Sequence, residues 1–349
     1  MRILLKPNDV LMFRESRSFT AGESYLARST LPLPQTITGA LRTAILLYSN
    51  FSDEAKELAG YKREEPEFEV IGSFLYDKQE YFPTPLDIVK AKGMEDYFLV
   101  KPLPLLTDFI FKGRHIHFES VGGFISYDNF IEYLKGKLVD GMLGRLVKHD
   151  LFFKESRVGI KLSDVKVTEE RFFYKADFLR LGEEVKISVW IENGDEVMNY
   201  LRNGLVRLGG ESRFAELKIE ERDSLESLRK EWNEITEVIN EEKRFKLYVT
   251  TPVLIKNREY FVWDIREKME GQLKNSLKIS RIYPLIGKPI AFSGWDLANN
   301  KPKPMKYAVP QGSVYFIEFR GKVEMEKPYL KLGELNRLGF GLCFVGVWG

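Results

Sequence analysis

Between residues 13 and 42 arginines recur beside aromatic rings: Phe13, Arg14, Arg17, Phe19, Tyr25 and Arg28, then Thr36, Thr38 and Arg42 where a helix begins. Guanidinium groups neutralise phosphates, rings stack on unpaired bases at roughly 1–3 kcal/mol each, and the free amides of a helix start accept an anion. These types together suit a single-stranded nucleic acid. They also allow a second arrangement, with Phe13 and Phe19 buried and the arginines paired to Glu15 and Glu23. Another basic set, Lys154, Arg157 and Lys161, surrounds Gly159. That segment reads either as a turn that clamps a phosphate backbone or as an ordinary hairpin with solvated charges.

Two glycine-rich segments, Leu208-Gly209-Gly210-Glu211-Ser212-Arg213 and Arg337-Leu338-Gly339-Phe340-Gly341, allow main-chain N–H groups to approach a phosphate with no Cβ in the way. Neither ends in the Gly-Lys-Ser/Thr of a nucleotide-binding loop, and a plain tight turn before a strand is the competing reading. Catalytic signals are weak. His115 and His117 are two apart, so a strand puts both on one face, but the only other histidine, His149, is distant. No Ser-His-Asp set or carboxylate pair emerges, and a single Cys343 is a poor candidate nucleophile. No catalytic residue, metal ligand or cofactor is assigned.

The elements that must carry these residues follow from periodicity. Arg2 to Leu5 reads as a strand and 9–22 as a polar loop; a helix starting near Thr36 or Thr38 puts Ile37, Leu41, Ala44, Ile45 and Tyr48 on one face. Phe68 to Leu75 and Gln79 to Thr84 form a hairpin around Asp77 and Lys78, and Glu184 to Ile191 alternates as a strand. A short helix spans Asp195 to Leu205, and a strand follows from Arg213 to Ile219. Asp223 and Glu226 make a capping box for an amphipathic helix running to Ile239. Strands recur at 245–254, 278–283, 313–319 and 342–348. The tripeptide Arg-Leu-Gly, at 207–209 and again at 337–339, precedes the last strand of each half and points to duplication.

With 349 residues, two domains that each bury a core are the natural division. We place them at 1–220 and 243–349, joined by a helix at 221–242. A net charge of +2 puts any nucleic-acid affinity in local basic surfaces and not in the chain as a whole. One cysteine suits a reducing compartment, and neither an export signal nor a membrane-length apolar run is present, so a cytoplasmic location is expected.

Several of these segments, taken in order, resemble one family. They are Asp9 to Gly22 with Phe13-Arg14 and Phe19; Thr36-Ile37-Thr38-Gly39-Ala40-Leu41-Arg42 after its prolines; Glu155-Ser156-Arg157-Val158-Gly159-Ile160; and Leu208 to Arg213. Ser293-Gly294-Trp295, Lys301-Pro302-Lys303-Pro304, Val309 to Tyr315 and the closing Leu338 to Leu342 complete the set. The chain is thereby similar, over nearly its whole length, to the RAMP-superfamily subunit numbered three in the Cmr (type III-B) CRISPR effector complex. One departure is Glu15-Ser16-Arg17 in place of an Asp-Gly-Arg-like turn. The resemblance implies an α+β fold of two ferredoxin-like (RRM-like) domains with insertions and antiparallel sheets. It implies a non-catalytic subunit that holds the 5′ tag of the CRISPR RNA beside the large polymerase-like subunit and the adjacent RAMP backbone subunit. Arg14, Arg17, Arg28, Arg42, Lys154, Arg157, Arg213 and Arg337 are then the expected phosphate contacts. The alternative is a metal-independent endoribonuclease that processes CRISPR RNA, with His115 or His117 as acid and base.

Overall fold

The computed structural model describes residues 1–13, 26–27, 31–93, 97–102, 118–138, 143–162, 168–192, 194–255, 266, 269, 272, 277–296 and 301–349. The chain opens with β1 (Arg2–Pro7) and reaches α1 (Pro34–Tyr48), which begins earlier than periodicity alone suggests. Pro34 has no N–H to lose and a φ already suited to a first turn, and the Leu33 carbonyl accepts from the Thr36 and Ile37 amides. α2 (Asp53–Leu58) follows, capped by the Ser52 hydroxyl. β2 (Glu69–Asp77) and β3 (Gln79–Pro83) form the expected hairpin over Lys78, and α3 (Tyr127–Leu134) comes later.

β4 (Phe152–Leu162) and β5 (Thr168–Leu181) are the longest strands, paired antiparallel from Phe152↔Leu181 onwards. Residues 153–162 are therefore extended strand and not a turn, because the facing strand satisfies their backbone groups in spite of Gly159. Leu26–Ala27 adds to β5 in parallel. After β6 (Lys186–Glu192), the helix expected from Asp195 to Leu205 is the single turn α4 (Asp195–Met198). Residues 204–207 instead become β7 (Gly204–Arg207), paired with β8 (Phe214–Glu220), so that Val206 is buried.

An eight-stranded antiparallel sheet results, in the order β7-β8-β1-β6-β2-β3 and then Phe124–Ser126 and Val147–Lys148. One face packs Ile3, Leu5, Ile187, Val189 and Leu217 against Ile37, Leu41 and Ile45 of α1. The opposite face carries Phe74, Phe82 and Trp190.

α5 (Glu226–Glu242) buries Leu228, Trp232, Ile235 and Ile239 along one stripe. Its capping box does not form: Asp223 accepts from the Leu225 amide at 3.0 Å, and Glu226 pairs with Lys230 at 2.7 Å. Glu226 is the first helical residue rather than the fourth position such a box needs. Then come β9 (Arg244–Val249), β10 (Lys278–Leu285), β11 (Val314–Arg320), β12 (Tyr329–Lys331) and β13 (Leu342–Gly346), in the order β10-β11-β9-β13-β12. The two sheets do not have wholly separate cores. Phe82 stacks on Phe130 at 4.0 Å, and Phe130 meets Phe344 edge-on at 4.9 Å, so the aromatic face of the first sheet is covered by the second. Among the described residues, no helix is long and apolar enough to cross a membrane.

Candidate nucleic-acid interface

Strand register assembles one cationic site. Glu155 lies opposite Phe178 and Arg157 opposite Ala176, so Phe153, Glu155 and Arg157 of β4 share a face with Phe178 and Arg180 of β5. Asp9, just beyond β1, is brought to that face by its neighbours. The Asn8 amide donates to the Phe214 carbonyl, and Leu11 exchanges two 2.8 Å hydrogen bonds with Leu179. Arg213 arrives from the turn between β7 and β8. Its Nη1 lies 3.1 Å from Asp9 Oδ2, Arg180 Nη2 lies 3.1 Å from Oδ1, and Arg157 Nη2 lies 3.6 Å from Oδ2. Glu155 receives Arg157 at 2.7 Å and Arg180 at 2.6 Å.

The guanidinium carbons of Arg157 and Arg213 lie 5.1 and 5.3 Å from the centre of the buried Phe178 ring. Burial alone would raise the Asp9 carboxyl, but the Val10 amide and the fields of Arg157 and Arg180 outweigh it and hold it below the ordinary carboxylate range. Hydrogen bonds from Arg180 and Arg157 lower Glu155 likewise. Three arginines against two carboxylates leave this set one net positive charge, on side chains 26 to 45% exposed. Planar forks of this kind bind carboxylate or phosphate oxygens in the same way.

The remaining expected residues are distributed otherwise. Lys154 is exposed, but strand alternation puts it on the face opposite Arg157, so the two do not form one clamp. Phe13 is a correction: it is 7% exposed, within the core that includes Leu11 and Leu208. Both sides of its segment are covered, since Val10 and Met12 pack on Ala176 and Phe178. Gly209 has φ +81°, and a Cβ there would sit 2.7 Å from the Met12 carbonyl. The Gly210 amide already donates to that carbonyl at 2.9 Å, so this turn braces the Met12 segment and does not offer the amide to an anion.

Arg42 is a second correction. Its guanidinium donates to the carbonyls of Ala59, Gly60, Arg63 and Glu64, which closes the end of α2. The Thr36 amide is taken by Leu33, and the buried Thr38 hydroxyl donates to Leu338. The second glycine segment is likewise a packing element. Arg337 holds the Pro66 carbonyl and Glu67, the Gly339 amide donates to Asn336, and the Gly341 amide donates to Pro252 at 2.8 Å. Gly341 has φ +76°, and any Cβ would overlap the Leu332 carbonyl. These residues join the second sheet to α1 and β2 and do not extend the arginine cluster.

Arg14, Arg17, Phe19 and Arg28 lie outside the described residues, as do His115, His117 and the side chain of Lys161. Among the described residues no three His, Cys, Asp or Glu stand together as metal ligands. Sequence reasoning did not single out Asp9, Glu155, Phe178 and Arg180 as site residues. Phe178 and Arg180, two apart, carried the alternation of a strand, but only the register with β4 shows what they face.

Residues 3–348 match the family model described as CRISPR-associated protein (Cas_Cmr3). The CRISPR system CMR subunit Cmr3 of Saccharolobus solfataricus is 26% identical over 320 residues, which span 90% of this chain and 85% of that protein. Among solved structures, a chain of the type III-B Cmr-beta complex bound to cognate target RNA, studied by cryo-electron microscopy, aligns with a TM-score of 0.54 at 19% identity. It covers 90% of this chain and 86% of its own length. The same complex bound to cognate target RNA and AMPPnP, in state 1, gives 0.53 at 19% identity with the same coverage. At this identity the likeness is one of fold. The match of the family model from the first strand to the last establishes that the chain belongs to the Cmr3 family of CRISPR-associated proteins.

Proposed function

We propose that the chain is a non-catalytic, RNA-binding subunit of a cytoplasmic type III-B CRISPR effector complex. It binds the 5′ tag of the CRISPR RNA and bridges the large polymerase-like subunit and the adjacent RAMP backbone subunit. The observation that carries this reading is the meeting of Arg157, Arg180 and Arg213 at Asp9, two of them over Phe178, just before the sequence that supplies Arg14, Arg17 and Phe19. Such a set positions a phosphate backbone, while bases and the 2′-hydroxyl provide selectivity.

The connectivity supports two ferredoxin-like domains with insertions. β8-β1-β6-β2, with α1 after β1 and α4 after β6, follows the order of a β-α-β-β-α-β unit. β13-β9-β11-β10 repeats that order, and most of the stretch joining β9 to β10 lies outside the described residues. The division at 1–220, 221–242 and 243–349 follows the same units, with α5 as the connector.

Fluorescence anisotropy of a labelled tag RNA with the purified chain tests the proposal. Replacing Arg157 and Arg213 together by Ala is expected to weaken binding and flatten its salt dependence by roughly 0.7 per lost phosphate contact on a single strand. Unchanged affinity and slope would count against RNA binding at this site. Site-specific cleavage of repeat RNA, abolished by His115→Ala, would replace the non-catalytic assignment with the endoribonuclease one. Crosslinking to RNA in the assembled complex separates both from an adaptor that touches only protein.

A further inference from the structure

The arginine set is already occupied. Asp9 is fixed by main-chain hydrogen bonds on both sides, at Asn8 and at Leu11, whereas its partners are long side chains from β4, β5 and the Gly210 turn. Two of those partners lie over one ring, Phe178, which restrains where their forks can point. A carboxylate oxygen and a phosphate oxygen present the same acceptor to a guanidinium, and only one of them can take a given N–H. The acid is thus placed where an anion would bind, on a backbone that cannot carry it away.

The geometry points to Asp9 as a built-in competitor of RNA. Without RNA its carboxylate stands in for a backbone phosphate, holding Arg157, Arg180 and Arg213 in a common orientation and releasing them as the strand docks. Glu155 plays the same part for Arg157 and Arg180. This inference rests on the RNA-binding reading above and adds regulation of that site. Any strand that docks here must first displace a tethered carboxylate, so the acid lowers affinity for tag and unrelated RNA alike.

The test is anisotropy titration of the purified full-length chain with labelled tag RNA and with an unrelated single strand of equal length. Asp9→Asn keeps an oxygen for the Val10 amide and removes the charge. It is expected to tighten both RNAs by about three- to tenfold, as for loss of a half-exposed carboxylate from a multiply paired set, and to steepen the salt dependence. Glu155→Gln shifts binding the same way by less. It carries the test if thermal unfolding shows that Asp9→Asn has lost the native fold.

Weaker or unchanged binding in the folded acid variants, with Arg157→Ala/Arg213→Ala still weakening it, overturns the inference and leaves the RNA reading intact. If the arginine variant binds like wild type, or wild type does not bind at all, the RNA reading fails and this inference with it.

Discussion

Replacing Arg42 by Ala is predicted to cost stability and to leave RNA binding alone. Arg42 looks like a phosphate contact in the sequence, but its Nε and Nη2 donate at 2.6 Å to the carbonyls of Ala59 and Gly60. Further bonds go to Arg63 at 2.9 Å and Glu64 at 3.2 Å. α2 ends at Leu58 and other amides take its own last-turn carbonyls, so Arg42 instead holds the C-cap residue Ala59 and the loop that follows, where the Gly60 carbonyl also accepts from the Arg63 amide. A cation there also meets the negative end of the helix. Burial lowers the Arg42 pKa, a sign that the charge is held against a desolvation cost which the carbonyls must offset.

On truncation the exposed Arg63 and Glu64 carbonyls rehydrate and the two at Ala59 and Gly60 do so poorly. At ~1.5–3 kcal/mol for a hydrogen bond to a charged group, discounted for partial rehydration, the loss is on the order of 3 kcal/mol. Arg42→Lys keeps the charge but cannot reproduce the fork, and should recover less than half of that loss. Urea unfolding followed by tryptophan fluorescence reports the midpoint, and anisotropy on the same preparations reports RNA binding. A wild-type midpoint combined with weakened binding and a flatter salt dependence would show that the guanidinium is free for phosphate and overturn its structural role.

Three further outcomes follow from local geometry. Gly341→Ala should destabilise by about 3 kcal/mol or more, because it combines a left-handed φ with overlap on the Leu332 carbonyl. Gly210→Ala should be close to neutral in the same urea unfolding, since its nearest contact, the Met12 carbonyl at 3.6 Å, is ordinary; equal losses would refute the distinction. Lys246 is sealed with its amine 3.4 Å from the Tyr133 ring centre, and burial pushes its pKa down to about 8 against the pull of Asp87. An unfolded lysine titrates near ~10.4, so between those values the unfolded chain binds more protons, and the penalty present below pH 8 is relieved as pH rises. Relative to Lys246→Met, wild-type stability in urea is expected to rise between about pH 8 and 10.5; parallel profiles would contradict it.

Much of the architecture was legible because local pattern and burial agree. The hairpin over Lys78, α1, the amphipathic α5 and the strands on either side of it follow directly from periodicity. The Arg-Leu-Gly repeat also has a structural counterpart: Leu208 and Leu338 are both buried, and Gly209 and Gly339 both have positive φ. Failures occurred where a partner strand overrode local composition. Of the two readings of residues 153–162, the phosphate-clamping turn gives way to the hairpin because β5 lies beside them, and 204–205 look like the end of a helix until β8 pairs with β7.

Residue types alone raised the expectation that arginines, rings and glycines hold an anionic strand, and their order along the chain carried the family resemblance. Which of those groups face one another was decided by pairing register and by the packing of the second sheet on the first. A guanidinium is a long fork that takes whatever acceptor lies within reach. Main-chain carbonyls just after α2 claimed Arg42, Pro66 and Glu67 claimed Arg337, and Asp9 gathered Arg157, Arg180 and Arg213 from segments far apart in sequence.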